Sequence, residues 1–389
     1  MTEAGAQVVW RTTVGDNIEI ITEAIGRAMQ RAELVIATGG LGPTSDDLTK
    51  KAICKYFKRQ LIFHDNILKK IEKRYAARGV KMPAINQNQA LLPQGAELID
   101  NKHGSAVGIV MEQDGKLFVA TPGVPMEMKP MIEGWVVENI KKRAKGQTTL
   151  HRKIHTFGII ESAIHEKIAD LIEGKQPGPL ALKISVAFLP SFKGVDLRLS
   201  LQTSRIDDGK KAIAILESKI TERISDFIFG HDDDTLPQVV GKLLSTHHLT
   251  LAVAESCTGG YLGKVITDIP GSSAYFLGGV IAYSNEIKMK SLSVPQIILE
   301  KYGAVSEECA RYMAEGVSQN LGANIGVSIT GIAGPDGGTD EKPVGLVYIG
   351  ISYNGKTEAQ LFNFGAERER NRERAVYSAL DMIRRVILG

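Results

Sequence analysis

Residues 249–260 read LTLAVAESCTGG. The first half is a short apolar run, and the second is a Ser/Thr/Gly turn ahead of a helical pattern. A run of that length ending in a glycine-bearing turn marks a strand passing into a helix. Two more units of the same kind follow it. Gly278–Tyr283 runs into Ser284-Asn285 with Lys288 one turn along the next helix, and Ile325–Thr330 runs into Gly331-Ile332-Ala333-Gly334-Pro335. Val344–Tyr353 and Lys356–Phe364 flank Asn354-Gly355, a strong two-residue hairpin signal, and a long helix is expected over Glu367–Leu388. The final third of the chain is therefore expected to be an α/β domain on a mixed sheet. In open sheets of this kind ligands sit outside the carboxyl ends of the strands, so the three turns should converge on one site.

Working outward, the first 145 residues also alternate strand-like and helical stretches: Gln7–Thr13, Ile18–Gln30, Leu34–Thr38, Asp47–Phe57 and later Lys116–Ala120. That alternation reads as βαβ units around a parallel sheet. The basic run Lys141–Lys145 and polar Gly146–Thr149 mark a boundary. The middle stretch carries a helix at Glu161–Ile172, a Gly/Pro-rich segment at Gly174–Pro179, strands at Ala181–Leu189 and Val195–Gln202, and a helix at Asp208–Arg223. In Val195–Gln202, Val195, Leu197, Leu199 and Leu201 alternate with polar residues, the period of a half-buried strand. The acidic run His231–Asp234 is a linker, and Leu236–Ser245 begins a new helix. The fold class is α/β: two α/β domains, 1–148 and 233–389, joined by a small α+β module at 149–232.

Composition narrows the function classes. A formal net charge of +3 over 389 residues is too small for a dedicated nucleic-acid binder. No apolar run approaches the ~18 residues of a membrane span, and the first ten residues lack the basic and apolar regions of a signal peptide. Cys54, Cys257 and Cys309 are too few and too dispersed for a disulfide framework or a zinc site. These features point to a cytoplasmic protein, and paired α/β domains to a homodimer.

The three turns of the last domain carry a specific chemistry. A serine hydroxyl needs a base to act as nucleophile, and no His lies between Thr250 and the C-terminus. A neutral lysine can serve instead when burial or a polar neighbour depresses its pKa. Lys288 is the lysine placed for this, Ser256 is the nucleophile, and Tyr283 is available to relay or orient a proton. The amides of Thr258, Gly259 and Gly260 are expected to form an oxyanion hole. Cys257 is a rival nucleophile, because a thiol at a helix N-terminus has a depressed pKa. Taken singly, each feature has a plainer explanation: Ser, Thr and Gly between strand and helix often only cap the helix, and lone lysines are usually solvated. Their concurrence at three strand ends is what carries the functional reading.

With Ala254–Gly260, Ala282-Tyr283-Ser284-Asn285 and Lys288, Gly303-Ala304-Val305-Ser306, Thr330–Pro335 and Lys342-Pro343-Val344-Gly345 in hand, residues 236–389 closely resemble the C-terminal domain of the CinA family. The resemblance implies a nicotinamide mononucleotide amidohydrolase without a cofactor, with Ser256, Tyr283, Lys288 and Thr330 in the active site. Glu255, Cys257, Thr258, Gly259, Gly260, Asn285 and Gly331 are expected to line the substrate, with Arg368 or Arg372 holding the nucleotide.

In the first domain, Leu34–Thr38 leads into Gly39-Gly40-Leu41-Gly42-Pro43-Thr44 and a helix near Ser45-Asp46-Asp47. Such a turn offers amide groups to an anion, while Asp46 and Asp47 repel a phosphate unless a divalent cation bridges them or they merely cap the helix. The loop Thr121–Pro125 is expected to wall the same crevice. This half resembles the family's molybdopterin-binding-like domain. The resemblance implies ADP-ribose pyrophosphatase activity with a divalent metal, phosphate contact by Gly39, Gly40, Gly42 and Thr44, and metal or ribose contact by Asp47 and Asp16. The middle section resembles the family's KH-type module but has no GxxG loop, so nucleic-acid binding is not expected. Only ten residues precede Arg11–Asp16, where family members carry a further strand and helix, so either the start is misassigned or this half is impaired. The leading reading is the amidase. The alternatives are the pyrophosphatase and a non-catalytic partner in DNA uptake or the damage response.

Overall fold

The computed structural model describes residues 4–144, 146–173 and 183–389. The expected Gly174–Pro179 segment, Lys145 and the first two residues of the expected strand Ala181–Leu189 lie outside the described residues. The chain divides into two compact units, Met1–Leu150 with Gln202–Ile206, and His151–Leu201 with Asp207–Gly389.

In the first unit, α1 (Ile18–Arg31) is started by the Asn17 side chain, which accepts from the Ile20 amide at 3.1 Å. There follow β1 (Leu34–Thr38), α2 (Thr49–Phe57), β2 (Leu61–Phe63), α3 (Asp65–Ala77), β3 (Leu91–Pro93), β4 (Glu97–Ile99), β5 (Gly108–Gln113), β6 (Lys116–Thr121), α4 (Pro125–Met131) and α5 (Val137–Arg143). The main sheet has the order β1-β6-β5-β4. β1 and β6 are parallel, with Thr38 opposite Thr121, so the Gly39 turn and the Thr121 loop emerge side by side. The expected parallel sheet is otherwise corrected to a mixed one. Asp114 and Gly115, both at positive φ (52° and 74°), close a two-residue turn between β5 and β6, and a turn that short joins only antiparallel strands. The expected strand Gln7–Thr13 is also absent: the segment pairs with nothing in the sheet and leaves Val8, Val9 and Trp10 exposed. One face of the sheet packs Ile109 and Phe118 against Ile25, Met29, Ile53 and Phe57; the other packs Val110 and Val119 against Met131, Val136 and Ile140.

In the second unit, β7 (Thr148–Thr156), α6 (Glu161–Glu173), β8 (Ser185–Ser191), β9 (Gly194–Thr203), α7 (Ile206–Ile224) and β10 (Ile228–His231) make the middle module. Its sheet runs β10-β7-β9-β8, and Val195, Leu197, Leu199 and Leu201 are buried as their spacing requires. The C-terminal domain contains α8 (Leu236–Thr246), β11 (Leu251–Glu255), α9 (Tyr261–Thr267), β12 (Phe276–Ile281), α10 (Asn285–Leu292), α11 (Gln296–Lys301), α12 (Glu307–Leu321), β13 (Ile325–Gly331), β14 (Leu346–Tyr353), β15 (Lys356–Asn363) and α13 (Arg368–Leu388). The sheet order is β12-β11-β13-β14-β15; the first three strands are parallel and the last two antiparallel, the mixed sheet expected.

β11 lies between β12 and β13 and every one of its residues is buried, which is why its sequence is apolar rather than alternating. Helix α12 covers one face with Cys309, Met313 and Val317; α8 and α13 cover the other with Val240, Leu244, Leu380 and Ile383. The approach of α12 is close enough that a Cβ on Gly326 would fall 2.1 Å from the Ala314 carbonyl, and one on Gly350 2.5 Å from that of Ala310. Ser328 uses the same proximity, donating to the Ala310 carbonyl at 2.6 Å. The middle module is joined to α13 by Phe192, edge-on to Tyr377 at 5.5 Å, and by Arg384, which donates to the Asp226 and Ile228 carbonyls.

Arg384 is buried against Asp381 at 2.8 Å, and Asp381 also accepts from Arg385 at 2.6 Å. Removing one member of a buried pair strands the other charge, which costs about 3–5 kcal/mol. Asp381→Ala should therefore destabilise the second unit strongly in urea unfolding, and adding Arg384→Met should restore much of the loss. A single variant within about 1 kcal/mol of the parent would mean that the pair is solvated in solution.

Candidate active site

The ends of β11, β12 and β13 meet. Ser256 follows β11 directly, and its amide donates to the Ile329 carbonyl of β13 at 2.9 Å. Helix α10 begins at Ser284, whose hydroxyl accepts from the Ile287 amide at 3.3 Å. That start places Lys288 and Leu292 on the inward face, and both are fully buried. The Lys288 Nζ lies 3.1 Å from Ser256 Oγ, 2.7 Å from the Ala282 carbonyl and 3.4 Å from the Tyr283 carbonyl. Among the described residues no carboxylate touches it, and burial lowers its pKa from the ordinary lysine value. A neutral amine has two hydrogens to donate and one lone pair. In the neutral form the two carbonyls would take those hydrogens and leave the lone pair toward the serine hydroxyl.

The thiols are tuned the opposite way. Burial raises Cys257 to about 11 and Cys309 to about 11. The depressed pKa expected of Cys257 is thus corrected: its side chain is packed into the core between β11 and α13 rather than presented at the mouth of a helix, so desolvation of the thiolate prevails. Tyr283 needs a similar correction. Its hydroxyl faces Arg368 Nη2 at 3.5 Å, while only its carbonyl approaches Lys288, so no relay runs through the phenol in this arrangement. The ring is exposed, at 63%.

The turn after Ser256 is more constrained than its glycines imply. Gly259 and Gly260 have φ of 58° and 92°, conformations that glycine adopts without strain. Their amides are occupied, however: Gly259 donates to the Ser256 carbonyl at 3.1 Å and Gly260 to a Glu255 carboxylate oxygen at 3.1 Å. Of the three amides expected to bind an oxyanion, only that of Thr258 has no acceptor among the described residues. Glu255, expected against substrate, is instead buried beneath the turn with both carboxylate oxygens hydrogen-bonded to backbone. Thr330 is buried and donates to the Ala304 carbonyl at 2.7 Å, beside the Ile329 carbonyl that holds Ser256. Asn285 is exposed at the start of α10, and Gly331 ends β13, with Val347 where its Cβ would be.

The two arginines do different things. Arg368 is exposed and donates to the Gly334 carbonyl at 2.7 Å, leaving its Nη2 edge toward Tyr283. Arg372 reaches inward and donates to the Thr258 carbonyl at 2.6 Å. Two residues given no role from sequence also shape the site. Asn371 is buried and donates to the Ala333 and Gly365 carbonyls, at 3.0 and 2.8 Å. Lys342 donates to the Tyr302 and Val305 carbonyls, at 2.7 and 2.8 Å, bringing together the Gly303–Ser306 and Lys342–Gly345 motifs. The available signals were slight: an uncharged polar residue amid arginines and glutamates, and a lysine directly before a proline.

In the first unit Gly39 and Gly40 adopt positive φ, and Thr49 donates to the Gly39 carbonyl at 2.9 Å. The Asp47 carboxylate accepts from the Thr44 amide at 2.9 Å and from the Thr44 hydroxyl at 2.5 Å, and it packs against Gly42 where a Cβ would sit. Burial opposes ionisation of Asp47, but these hydrogen bonds prevail and lower its pKa. Asp47 therefore neither caps α2, which starts at Thr49, nor stands free for a metal. Asp16 lies in the exposed segment before α1. Among the described residues no group of three or more His, Cys, Asp or Glu side chains is arranged to hold a metal ion. Lys50, at the start of α2, is buried, donates to the Asn88 carbonyl at 2.7 Å, and is lowered by burial to about 8. No helix among the described residues is long and apolar enough to cross a membrane.

Comparison with known proteins bears directly on this arrangement. Residues 233–387 match the CinA C-terminal domain, residues 151–230 the damage-inducible protein CinA KH domain, and residues 1–142 the probable molybdopterin binding domain. A putative competence-damage inducible protein of Caldicellulosiruptor saccharolyticus is 43% identical across 99% of this chain and 92% of its own. A CinA-like protein of Dictyoglomus thermophilum is 41% identical across 100% of this chain and 93% of its own. Among solved structures, a competence/damage inducible protein of Agrobacterium tumefaciens is 36% identical, with 40% of this chain and 94% of its own covered, at a TM-score of 0.39. Three family matches in sequence order, with relatives aligned over nearly their whole length, make this chain a member of the CinA family of competence/damage-inducible proteins.

Proposed function

We propose that the C-terminal domain is an amidohydrolase that converts nicotinamide mononucleotide and water to nicotinic acid mononucleotide and ammonia. The observation that carries this reading is the 3.1 Å approach of a buried, carboxylate-free Lys288 to Ser256 Oγ. Lys288 takes the serine proton as Oγ attacks the carboxamide carbon, and the Thr258 amide faces the developing oxyanion. The proton held on Lys288 passes to the departing nitrogen, which leaves as ammonia. Water then attacks the acyl-enzyme, again with Lys288 as base, releasing the carboxylic acid and restoring the serine. The exposed ring of Tyr283 offers a face for the pyridine, and the outward edge of Arg368 offers donors to the phosphate. The choice of this carboxamide rests on the family resemblance and on these two side chains.

A second reading, hydrolysis of ADP-ribose by the first unit, has in its favour a turn shaped for an anion. The Asp47 carboxylate already fills that place, so metal-dependent release of AMP is expected to be weak. Robust release that is lost in Asp47→Ala would make Asp47 a working ligand instead.

Ammonia release from nicotinamide mononucleotide is the direct assay for the amidase. Ser256→Ala should abolish it with the fold intact; more than about a tenth of wild-type turnover would remove Ser256 from the mechanism. Cys257→Ala should keep most of the activity, and alkylating reagents at neutral pH should act slowly, since a thiol raised to about 11 holds little thiolate there.

Lys288→Arg should be nearly as damaging as Lys288→Ala, because a guanidinium stays protonated. The base works deprotonated, so activity should rise with pH through the pKa of Lys288 and level off below the ordinary lysine range, as its lowered value requires. Near-normal rates in Lys288→Arg would leave Lys288 as a positive charge only.

A further inference from the structure

Glu255 is the last residue of β11, directly before Ser256, and its side chain is 1% exposed. A buried carboxylate beside a nucleophile invites a role in proton transfer. The contacts exclude that: one oxygen accepts from the Gly260 and Leu262 amides at 3.1 and 3.0 Å, the other from the Gly263 amide at 2.8 Å, and neither touches Lys288. The carboxylate instead gathers the first amides of α9 under the turn. Arg372 restrains the same turn from the other side through the Thr258 carbonyl at 2.6 Å.

Counting donors through the turn shows what this achieves. The amides of Gly259, Gly260 and Tyr261 are bound to Ser256, Glu255 and Thr258 respectively. Among the described residues that of Thr258 has no acceptor, and that of Cys257 meets only its own sulfur. The backbone of Glu255 adds a second restraint. Its carbonyl accepts from the Ala282 amide at 2.8 Å, and the Ala282 carbonyl in turn accepts from Lys288 at 2.7 Å. One residue therefore holds the turn by its side chain and, through its main chain, the carbonyl that orients the base.

We propose that Glu255 is a positioning residue whose carboxylate locks the Ser256–Gly260 turn so that the free Thr258 amide is aimed at the oxyanion. The inference rests on the Ser256–Lys288 reading above. Glutamine at this position can accept with one end only, so at least one of the three amides would face a donor; aspartate keeps the charge but is one methylene too short to reach all three.

The test compares wild type, Glu255→Gln and Glu255→Asp, with Asp268→Asn on the exposed face of the same region as control. Misaiming an oxyanion donor should lower kcat about 10- to 100-fold with KM within about threefold, somewhat less than the loss of a whole donor. The rising limb of the pH profile should not move, since Lys288 is untouched. Amide exchange at Gly260, Leu262 and Gly263 should quicken about tenfold while β13 and β14 keep their protection. A purely structural role would instead lower the thermal midpoint and leave kcat per folded molecule unchanged. Retention of kcat within about threefold, unchanged exchange at the three amides, or a shifted pH limb would each overturn the proposal. Should wild type release no ammonia, the deamidase reading fails by itself. Labelling of Ser256 by a fluorophosphonate then decides on Glu255: about tenfold slowing in Glu255→Gln supports it, and an equal rate overturns it.

Discussion

A primary amine buried against a serine with no countercharge is the constraint from which the rest of the C-terminal domain follows. A charged lysine in that position loses its hydration and recovers only carbonyl dipoles, so burial lowers its pKa, the direction that a role as base requires. Neutrality alone is not enough, because an amine free to rotate would present its lone pair to the serine only part of the time. The Ala282 and Tyr283 carbonyls remove that freedom by engaging its two hydrogens. Both directly follow the end of β12, so the geometry of the amine is set by where that strand stops relative to β11.

The packing keeps those strand ends in place. Small residues bring α12 onto the sheet at near-backbone distance, with Gly326 and Gly350 beneath it and Ser328 bonded to its carbonyl. Rigid contact of this kind transmits position well, because close-packed interiors yield little. At the mouth the work passes to side chains that grip carbonyls: Lys342 on Tyr302 and Val305, Thr330 on Ala304, Asn371 on Ala333 and Gly365, Arg368 on Gly334, and Arg372 on Thr258. Loops that carry no regular hydrogen-bond ladder are ordered through these five side chains. Arg368, Asn371 and Arg372 all come from the first turn and a half of α13, so the start of that helix serves as a clasp for loops from three strands.

The first unit shows the same physics put to another use. A glycine turn whose amides point inward is competent to hold an anion, and here the chain supplies the anion itself. Asp47 satisfies the Thr44 amide and hydroxyl, and the turn closes on its own carboxylate ahead of α2. Whether a glycine-rich turn receives a ligand or closes upon its own carboxylate depends on one neighbouring side chain.

Sequence alone determined the order of the three modules and the mixed sheet of the last domain, and it singled out Ser256 and Lys288, whose side chains lie 3.1 Å apart. Each rests on local signals: runs of apolar residues ending in glycine turns, the Asn354-Gly355 hairpin, and the lack of any histidine that could serve as a base. It went astray in strand pairing. Gln7–Thr13 has a strand's composition but no neighbour to pair with, and the Asp114-Gly115 hairpin, although written in the sequence, turned an expected parallel sheet into a mixed one. Tertiary structure decided which way each polar group at the site faces. The thiol of Cys257 is raised because the α13 side buries it; the Tyr283 phenol turns to Arg368, 85 residues along; Glu255 turns beneath the turn instead of toward substrate. Spacing along a chain sets which side chains arrive at a site. Their protonation and direction depend on desolvation and on carbonyls contributed by distant loops, and these exist only once the sheet has assembled.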